Sequence, residues 1–136
     1  MDIHNIKIMI IDDDVDITNL FEIYLESNGY NVDAYTNPLD AFHNFRKNSH
    51  DLIILDLKMP KMDGMILYHK IKEIDDKVII CLTTADISYI ENLRKGIIDI
   101  EKIVLYKPVL LKDLKNKIEW LLSLKEVNNK TTMIIL

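Results

Sequence analysis

The 136-residue sequence predicts an α/β fold, a (βα)5 doubly wound five-stranded parallel sheet with helices on both faces. Two observations lead to it. Five short runs rich in β-branched residues alternate with segments of helical period. Four of these runs are almost unbroken in apolar residues, which is typical of strands covered on both faces. The length corresponds to one domain, and 49% hydrophobic and 29% charged residues are ordinary for a globular chain.

The apolar runs give the predicted strands. The second run, in which apolar and polar residues alternate, is predicted to lie at an edge of the sheet. The five runs cover residues 8–11, 32–35, 52–55, 78–82 and 103–106.

The first two helices have clear start signals. Over 15–28 the apolar residues repeat with helical spacing, Asp14 is the predicted N-cap and Gly29 the stop. Asn37 is the predicted N-cap of the second helix and Pro38 its first residue. The residues expected to face inward from this second helix are Leu39, Phe42 and Phe45.

Three further helices follow. One is predicted over 63–74 and one after Asp86, which would bury Ile90, Leu93 and Ile97. The last is predicted over 109–124, with Leu111, Leu114, Ile118, Leu121 and Leu122 on one face. We therefore expect one domain over residues 1–124. Residues 125–136 lack a helical stripe and are expected to form a mobile C-terminal tail.

Composition excludes several classes of function. The net charge is −5; residues 102–136 hold seven lysines against three acids, so the first 101 residues carry −9. An acidic body with only two arginines argues against nucleic acid as a partner. The apolar runs are too short to span a membrane, and the first residues do not read as a signal peptide, so we expect a cytoplasmic protein. A single cysteine, predicted to lie in the core, excludes a disulfide framework.

The chemistry is expected beyond the carboxyl ends of the strands, where ligands bind in such sheets. Asp12 and Asp13 follow the first strand and Asp56 ends the third, which are neighbours if the strand order is 2-1-3-4-5. Clustered carboxylates with few other ligands favour Mg²⁺. Thr83 and Lys107 follow the fourth and fifth strands. A metal, an ammonium and a hydroxyl around one carboxylate suit phosphoryl transfer, with the carboxylate itself as a possible nucleophile.

Four motifs resemble the signatures of the receiver domain of two-component response regulators, a flavodoxin-like fold. They read MIIDDDVD, DLIILDLKMPKMDG, CLTTAD and YKPV, and the resemblance covers residues 6 to 124. It implies that Asp56 accepts a phosphoryl group, and that Asp12, Asp13, Asp56 and the backbone carbonyl of Lys58 hold Mg²⁺. It also implies that Thr83 supplies a switch hydroxyl. Lys107 would be the lysine that is characteristic of the family, and the peptide bond between Lys107 and Pro108 would be cis.

The resemblance implies a stand-alone response regulator in a two-component phosphorelay. A sensor histidine kinase or histidine phosphotransfer protein would be the donor. The protein would catalyse only its own phosphorylation and dephosphorylation. It would signal to a downstream protein target, or self-associate, through helix 4, strand 5 and helix 5, without binding nucleic acid or membrane.

Three features depart from the family pattern. Thr84 beside Thr83 offers an alternative switch hydroxyl. The segment from Gly96 to Lys107 is longer than usual, which indicates a remodelled loop. The family's switch aromatic is replaced by Val104, while Tyr106 lies on the same predicted strand face.

Two alternatives remain open from the residues. One is a haloacid-dehalogenase-like phosphatase with Asp12 as nucleophile and Asp14 as acid/base, although Asp16 does not fit that family's motif. The other is a degenerate receiver that acts only as a binding module, against which Asp56, Thr83 and Lys107 argue. The four histidines show no ligand spacing and are predicted to lie at the surface.

Overall fold

The computed structural model of the protein describes residues 3–93 and 99–135. A short 3-10 turn, Ile3–Asn5, precedes the first strand. The strands are β1 Lys7–Ile11, β2 Asn31–Tyr35, β3 Leu52–Asp56, β4 Ile79–Thr84 and β5 Val104–Tyr106. The helices are α1 Val15–Ser27, α2 Pro38–Asn44, α3 Gly64–Ile74, α4 Ile87–Leu93, α5 Ile100–Ile103 and α6 Leu111–Ile135.

The five strands form one parallel sheet in the order β2-β1-β3-β4-β5, as predicted. Every residue of β3 is buried, whereas β2 at the edge is only half-buried. The unbroken apolar run of β3 therefore reflects a central strand that is covered on both faces.

Alternate residues of the central strands supply two separate cores. Ile8 and Ile10 of β1 point to the layer that contains α1 and α6, with Phe21 and Ile118. Met9 and Ile11 point to the opposite layer, which contains α2, α3 and α4. The helices thus lie on both faces of the sheet, as right-handed crossovers require.

The predicted caps of the first two helices are confirmed. The Asp14 carboxylate accepts the backbone N–H groups of Asp16 and Ile17. Asn37 accepts the N–H of Leu39, and Pro38 is the first residue of α2. These side chains satisfy donors that a helix start otherwise leaves unpaired, so local sequence fixes where α1 and α2 begin.

The predicted apolar stripe of α2 is partly wrong. Leu39 is exposed, whereas Phe42 is half-buried and Phe45, just after the helix, is buried as predicted. Within the helix the buried residues are Pro38 and Ala41. Because α2 ends at Asn44, it is the extended backbone of Phe45 that places its ring in the core. In α4, Ile90 is buried and Leu93 half-buried, as predicted, while Ile97 lies outside the described residues.

The C-terminal part of the fold differs from the prediction in two places. The lengthened segment before Lys107 contains a short helix, α5, with Ile100 buried. The last helix begins at Leu111 and does not end at 124, because its backbone continues to Ile135. Its buried residues Leu114 and Ile118 belong to the predicted stripe. The mobility of residues 125–136 stays a prediction.

The surface prediction for the histidines is wrong for His50. His43 and His69 are exposed, but His50 is buried and stacks on Phe45. One ring nitrogen lies 2.8 Å from Asp33 Oδ2 and the other 2.7 Å from Ser49 Oγ. Both ring nitrogens of His50 have partners, so the ring can be buried without leaving a polar atom unpaired.

Within the parts of the chain that the structure describes, no helix combines the length and apolarity needed to cross a membrane.

Candidate functional site

Three carboxylates meet at the carboxyl ends of β1 and β3. Asp12 follows β1 and Asp56 is the last residue of β3, and these two strands are paired. Asp12, Asp13 and Asp56 each offer one oxygen, and these oxygens lie within 4.8 Å of one another. Asp12 and Asp56 are buried, whereas Asp13 is exposed to solvent. The structure therefore assembles the acidic cluster that the sequence predicted.

Lys107, which follows β5, reaches this cluster from the far side of β4. Its Nζ lies 2.9 Å from Asp12 Oδ2 and 3.3 Å from Asp56 Oδ2. Burial alone would lower the pKa of Lys107, but the hydrogen bond and charge of Asp12 and the charge of Asp56 raise it above its ordinary value. Lys107 is therefore a cation in this site. The peptide bond between Lys107 and Pro108 is cis, as the resemblance implied.

The cluster carries more negative than positive charge. Burial, and next the charge of Asp12, raise the pKa of Asp56 from 3.8 to about 7, against the opposing effect of Lys107. Three carboxylates face one ammonium, which is an arrangement that attracts a further cation. Hard carboxylate oxygens at this spacing fit a small divalent ion such as Mg²⁺.

The two threonines after Leu82 have different environments. Thr83 pairs with Asp56 in the β3–β4 register, and its Oγ1 is buried without a hydrogen-bond partner among residues 3–93 and 99–135. Thr84 is also buried, but its Oγ1 accepts the N–H of Asp86 at 3.1 Å. The Thr83 hydroxyl is thus available to a ligand, while that of Thr84 stabilises the turn after β4.

Lys58 contacts Asp56 through its backbone and another acid through its side chain. Its N–H donates to Asp56 Oδ1 at 3.3 Å. Its Nζ lies 2.6 Å from Asp86 Oδ2 and 5.4 Å from the centre of the Tyr89 ring. Sequence reasoning missed this use of Asp86 and Tyr89. Asp86 could be recognised only as the residue before α4.

The position of the usual switch aromatic is apolar here. Val104 is buried in β5, and Tyr106, two residues later, is half-buried. The Tyr106 hydroxyl donates to Glu101 Oε2 at 3.0 Å, so α5 in the lengthened segment supplies a partner for it.

A comparison with protein families agrees with this geometry. The family model described as "Response regulator receiver domain" matches residues 8–119, which include the acidic cluster, Thr83 and Lys107. The chain belongs to the receiver-domain family of response regulators. Receiver domains form a family of signalling switches.

Two curated relatives illustrate the match. The receiver domain is 29% identical over 121 residues to the transcriptional regulatory protein RprY of Bacteroides fragilis, covering 86% of this chain and 49% of that protein. It is 34% identical over 80 residues to the uncharacterized transcriptional regulatory protein YclJ of Bacillus subtilis, covering 59% of this chain and 35% of that protein. The chain thus spans between a third and a half of the length of these relatives.

Solved structures show the same fold. A response regulator receiver domain protein from Clostridium thermocellum has a TM-score of 0.74 and 29% identity, covering 90% of this chain and 98% of that chain. A CheY-like receiver domain protein from Methanospirillum hungatei has a TM-score of 0.75 and 26% identity, with the same coverage.

The phosphatase alternative is not supported by the site. That hypothesis assigns Asp14 as the acid/base, but its carboxylate accepts two backbone N–H groups as the N-cap of α1. A carboxylate held in this way serves the helix start rather than proton transfer.

Proposed function

We propose that this receiver domain is a phosphoryl-accepting switch in which Asp56 is the acceptor. The observation that carries the proposal is the environment of Asp56: a buried carboxylate, contacted by an ammonium and beside a buried hydroxyl that has no hydrogen-bond partner in the part of the chain that the structure describes. A binding module without chemistry would have no need to bury an unpaired hydroxyl next to an acid.

The donor is proposed to be a phosphohistidine on a sensor histidine kinase or a histidine phosphotransfer protein. An Asp56 oxygen attacks the phosphorus, the P–N bond breaks, and the imidazole leaves with its electron pair and takes up a proton. The product is an acyl phosphate. Lys107, already 3.3 Å from Asp56 Oδ2, neutralises part of the charge on the transferring group. The Thr83 hydroxyl donates to a phosphoryl oxygen, which gives this buried group the partner that it lacks among the described residues.

Mg²⁺ is proposed to be held by Asp12, Asp13, Asp56 and the backbone carbonyl of Lys58. When bound, it would neutralise phosphoryl oxygens and lower the electrostatic barrier to bringing a phosphate among carboxylates. The carboxylate oxygens are already assembled within 4.8 Å of one another, so few atoms have to move when the ion binds.

The output is proposed to be a change in binding at the surface formed by α4, β5 and α6, either to a protein target or to a second copy. The predicted fifth helix corresponds to α6, since α5 was not expected. We propose that this domain acts in the cytoplasm and binds neither nucleic acid nor membrane itself. The argument against nucleic acid is that the first 101 residues are acidic and that the chain has only two arginines.

The test is phosphorylation by a small-molecule donor. The protein is incubated with acetyl phosphate and Mg²⁺, and the intact mass is recorded with time. We expect one adduct of about 80 Da, the mass of a single phosphoryl group, on Asp56. The adduct should be absent in Asp56→Asn and present in Asp40→Asn, which removes an exposed acid of α2.

Two outcomes would contradict the proposal. Wild-type protein that takes up no phosphoryl group would favour a degenerate receiver that acts only through binding. An adduct that persists in Asp56→Asn would place the acceptor elsewhere. Asp13→Ala tests the metal assignment separately, since it should abolish both phosphorylation and Mg²⁺ binding measured by calorimetry.

A further inference from the structure

Four polar side chains join the loop after β3 to the first turn of α4. Lys58 Nζ lies 2.6 Å from Asp86 Oδ2, and the Tyr89 hydroxyl donates to both oxygens of Asp63, at 3.1 and 3.2 Å. The Lys58 ammonium also lies 5.4 Å from the centre of the Tyr89 ring, within the range of a cation–π contact. These contacts connect the segments that follow two neighbouring strands, beside Asp56 and Thr83.

Asp86 stabilises the start of α4 while it pairs with Lys58. Its Oδ1 accepts the N–H of Tyr89 at 3.1 Å and the hydroxyl of Ser88 at 2.6 Å. The hydrogen bond from Lys58 is the largest of several effects that hold the pKa of Asp86 well below its ordinary value. The Lys58 ammonium is therefore the counterion of a carboxylate that orders the first turn of α4.

Lys58 also belongs to the Asp56 site. Its backbone N–H donates to Asp56 Oδ1, so the base of its side chain is fixed next to the acceptor. The side chain is a flexible four-carbon stem and is 58% exposed, so it can change direction without disturbing the core.

The charge of the site changes on phosphorylation. With all three carboxylates ionised, Asp12, Asp13 and Asp56 against Lys107 leave two negative charges, which one divalent cation would balance. Replacing the Asp56 carboxylate by an acyl phosphate adds about one further negative charge at neutral pH. A second ammonium is then attracted to the site, and Lys58 is already anchored there.

We propose that Asp86 and Tyr89 position Lys58 as a transferable cation. Without a phosphoryl group, the Lys58 ammonium stays on Asp86 and Tyr89. Once Asp56 is phosphorylated, it moves to the phosphoryl oxygens, and the first turn of α4 loses its counterion. Asp86 and Tyr89 are positioning residues here. The inference rests on the proposed function, because it requires Asp56 to be the acceptor.

The experiment measures two properties of phosphorylated protein after the donor is removed. The first is the lifetime of the adduct by intact mass. The second is amide hydrogen exchange in residues 86–93, before and after phosphorylation. In the wild type, phosphorylation should speed this exchange about 2–5-fold, the range expected for loss of one exposed ion pair. In Lys58→Met, exchange should be fast from the outset and should not change on phosphorylation.

The adduct lifetime should respond to the two residues in opposite directions. Asp86→Asn removes the competitor for Lys58 but keeps a residue that can cap α4, so the adduct should last about 2–5-fold longer. Lys58→Met should shorten the lifetime, and Lys58→Arg should restore most of it. In a Lys58→Met background, Asp86→Asn should have no effect, because the residue it acts through is absent. Lys61→Met removes an exposed lysine of the same loop and should leave both measurements unchanged.

The outcomes separate this inference from the proposed function. An adduct that forms normally but whose lifetime shows independent, additive effects of Lys58→Met and Asp86→Asn would overturn the inference alone. Unchanged exchange at residues 86–93 on phosphorylation would do the same. Failure of the wild type to form the adduct would overturn the proposed function and, with it, this inference.

Discussion

Gly64 occupies a place where a side chain cannot fit, and Gly64→Ala tests this directly. A Cβ built on Gly64 would lie 2.5 Å from Leu57 Cα, 2.7 Å from the Asp56 carbonyl oxygen and 2.8 Å from that of Leu57. Carbon atoms in ordinary contact are about 3.5–4.0 Å apart, so α3 would have to move by about 1 Å. All three neighbours are backbone atoms, so none of them can turn away as a side chain could.

The expected cost follows from two opposing effects. Overpacking of this kind costs about 1–3 kcal/mol. Alanine is a better helix former than glycine by up to about 1 kcal/mol in a helix interior, and less at a first residue. We therefore expect Gly64→Ala to lower the free energy of unfolding by about 2 kcal/mol. The substitution should also slow phosphorylation, because the backbone atoms against which the new Cβ would press belong to Asp56 and to Leu57, which follows it.

Urea denaturation with linear extrapolation measures the change, provided that the slope is the same for both proteins. Ile66→Ala is the matched control, since Ile66 lies on the same helix and is 53% exposed. It should change the free energy of unfolding by no more than about 0.5 kcal/mol. A Gly64→Ala protein as stable as the wild type, or more stable, would refute the argument from close approach.

Three further predictions concern buried polar groups. The pKa of Asp56 is about 7 in the folded protein and 3.8 ordinarily, so the folded state binds the Asp56 proton more tightly than the unfolded state does. The stabilisation that this proton provides is complete at low pH and is lost as the pH rises through about 7. Without divalent cations, Asp56→Asn should therefore unfold with a free energy about 2–4 kcal/mol higher than wild type at pH 8 and nearly equal at pH 3, and Mg²⁺ should reduce the difference. Thr83→Val should raise the free energy of unfolding by about 1 kcal/mol, because it removes a buried hydroxyl that has no partner within the described ranges. Thr84→Val should lower the free energy of unfolding, because the Thr84 hydroxyl accepts a backbone N–H. His50→Ala should lower the free energy of unfolding, measured by heat or urea, by about 2–3 kcal/mol, because two hydrogen bonds and a ring contact are lost. A change below about 0.5 kcal/mol would show that the buried ring does not stabilise the fold.

Signals that act over a few residues were sufficient for much of the fold. The strands coincide with their β-branched runs to within two residues at either end, and α1 and α2 begin where Asp14 and Asn37 can cap them. Apolar runs without alternation correctly indicated that β1, β3 and β4 are covered on both faces, but the same pattern in β5 was misleading, because β5 lies at an edge of the sheet and only Val104 in it is buried. The acidic cluster was also predictable, because the ends of neighbouring parallel strands meet at one edge of the sheet.

Errors arose where burial depends on distant residues. The spacing of α2 included Leu39, which is exposed, and missed Ala41, which is buried, whereas Phe45 is buried as predicted. His50 was placed at the surface, although Asp33, 17 residues earlier, supplies the partner that permits its burial.

The sequence by itself determined the class of fold, the acids and the lysine of the site, and the family, since these follow from local periodicity and from four short motifs. Only the tertiary structure decided which hydrogen-bond and ion-pair partners the polar side chains of the site have. The Thr84 hydroxyl accepts a hydrogen bond in the turn after β4, whereas the Thr83 hydroxyl has no hydrogen-bond partner among the residues that the structure describes. The tertiary structure also pairs Lys58 with Asp86, 28 residues away in sequence. Such contacts depend on how loops from neighbouring strands approach each other, and that approach is set by packing of the whole sheet rather than by any local pattern.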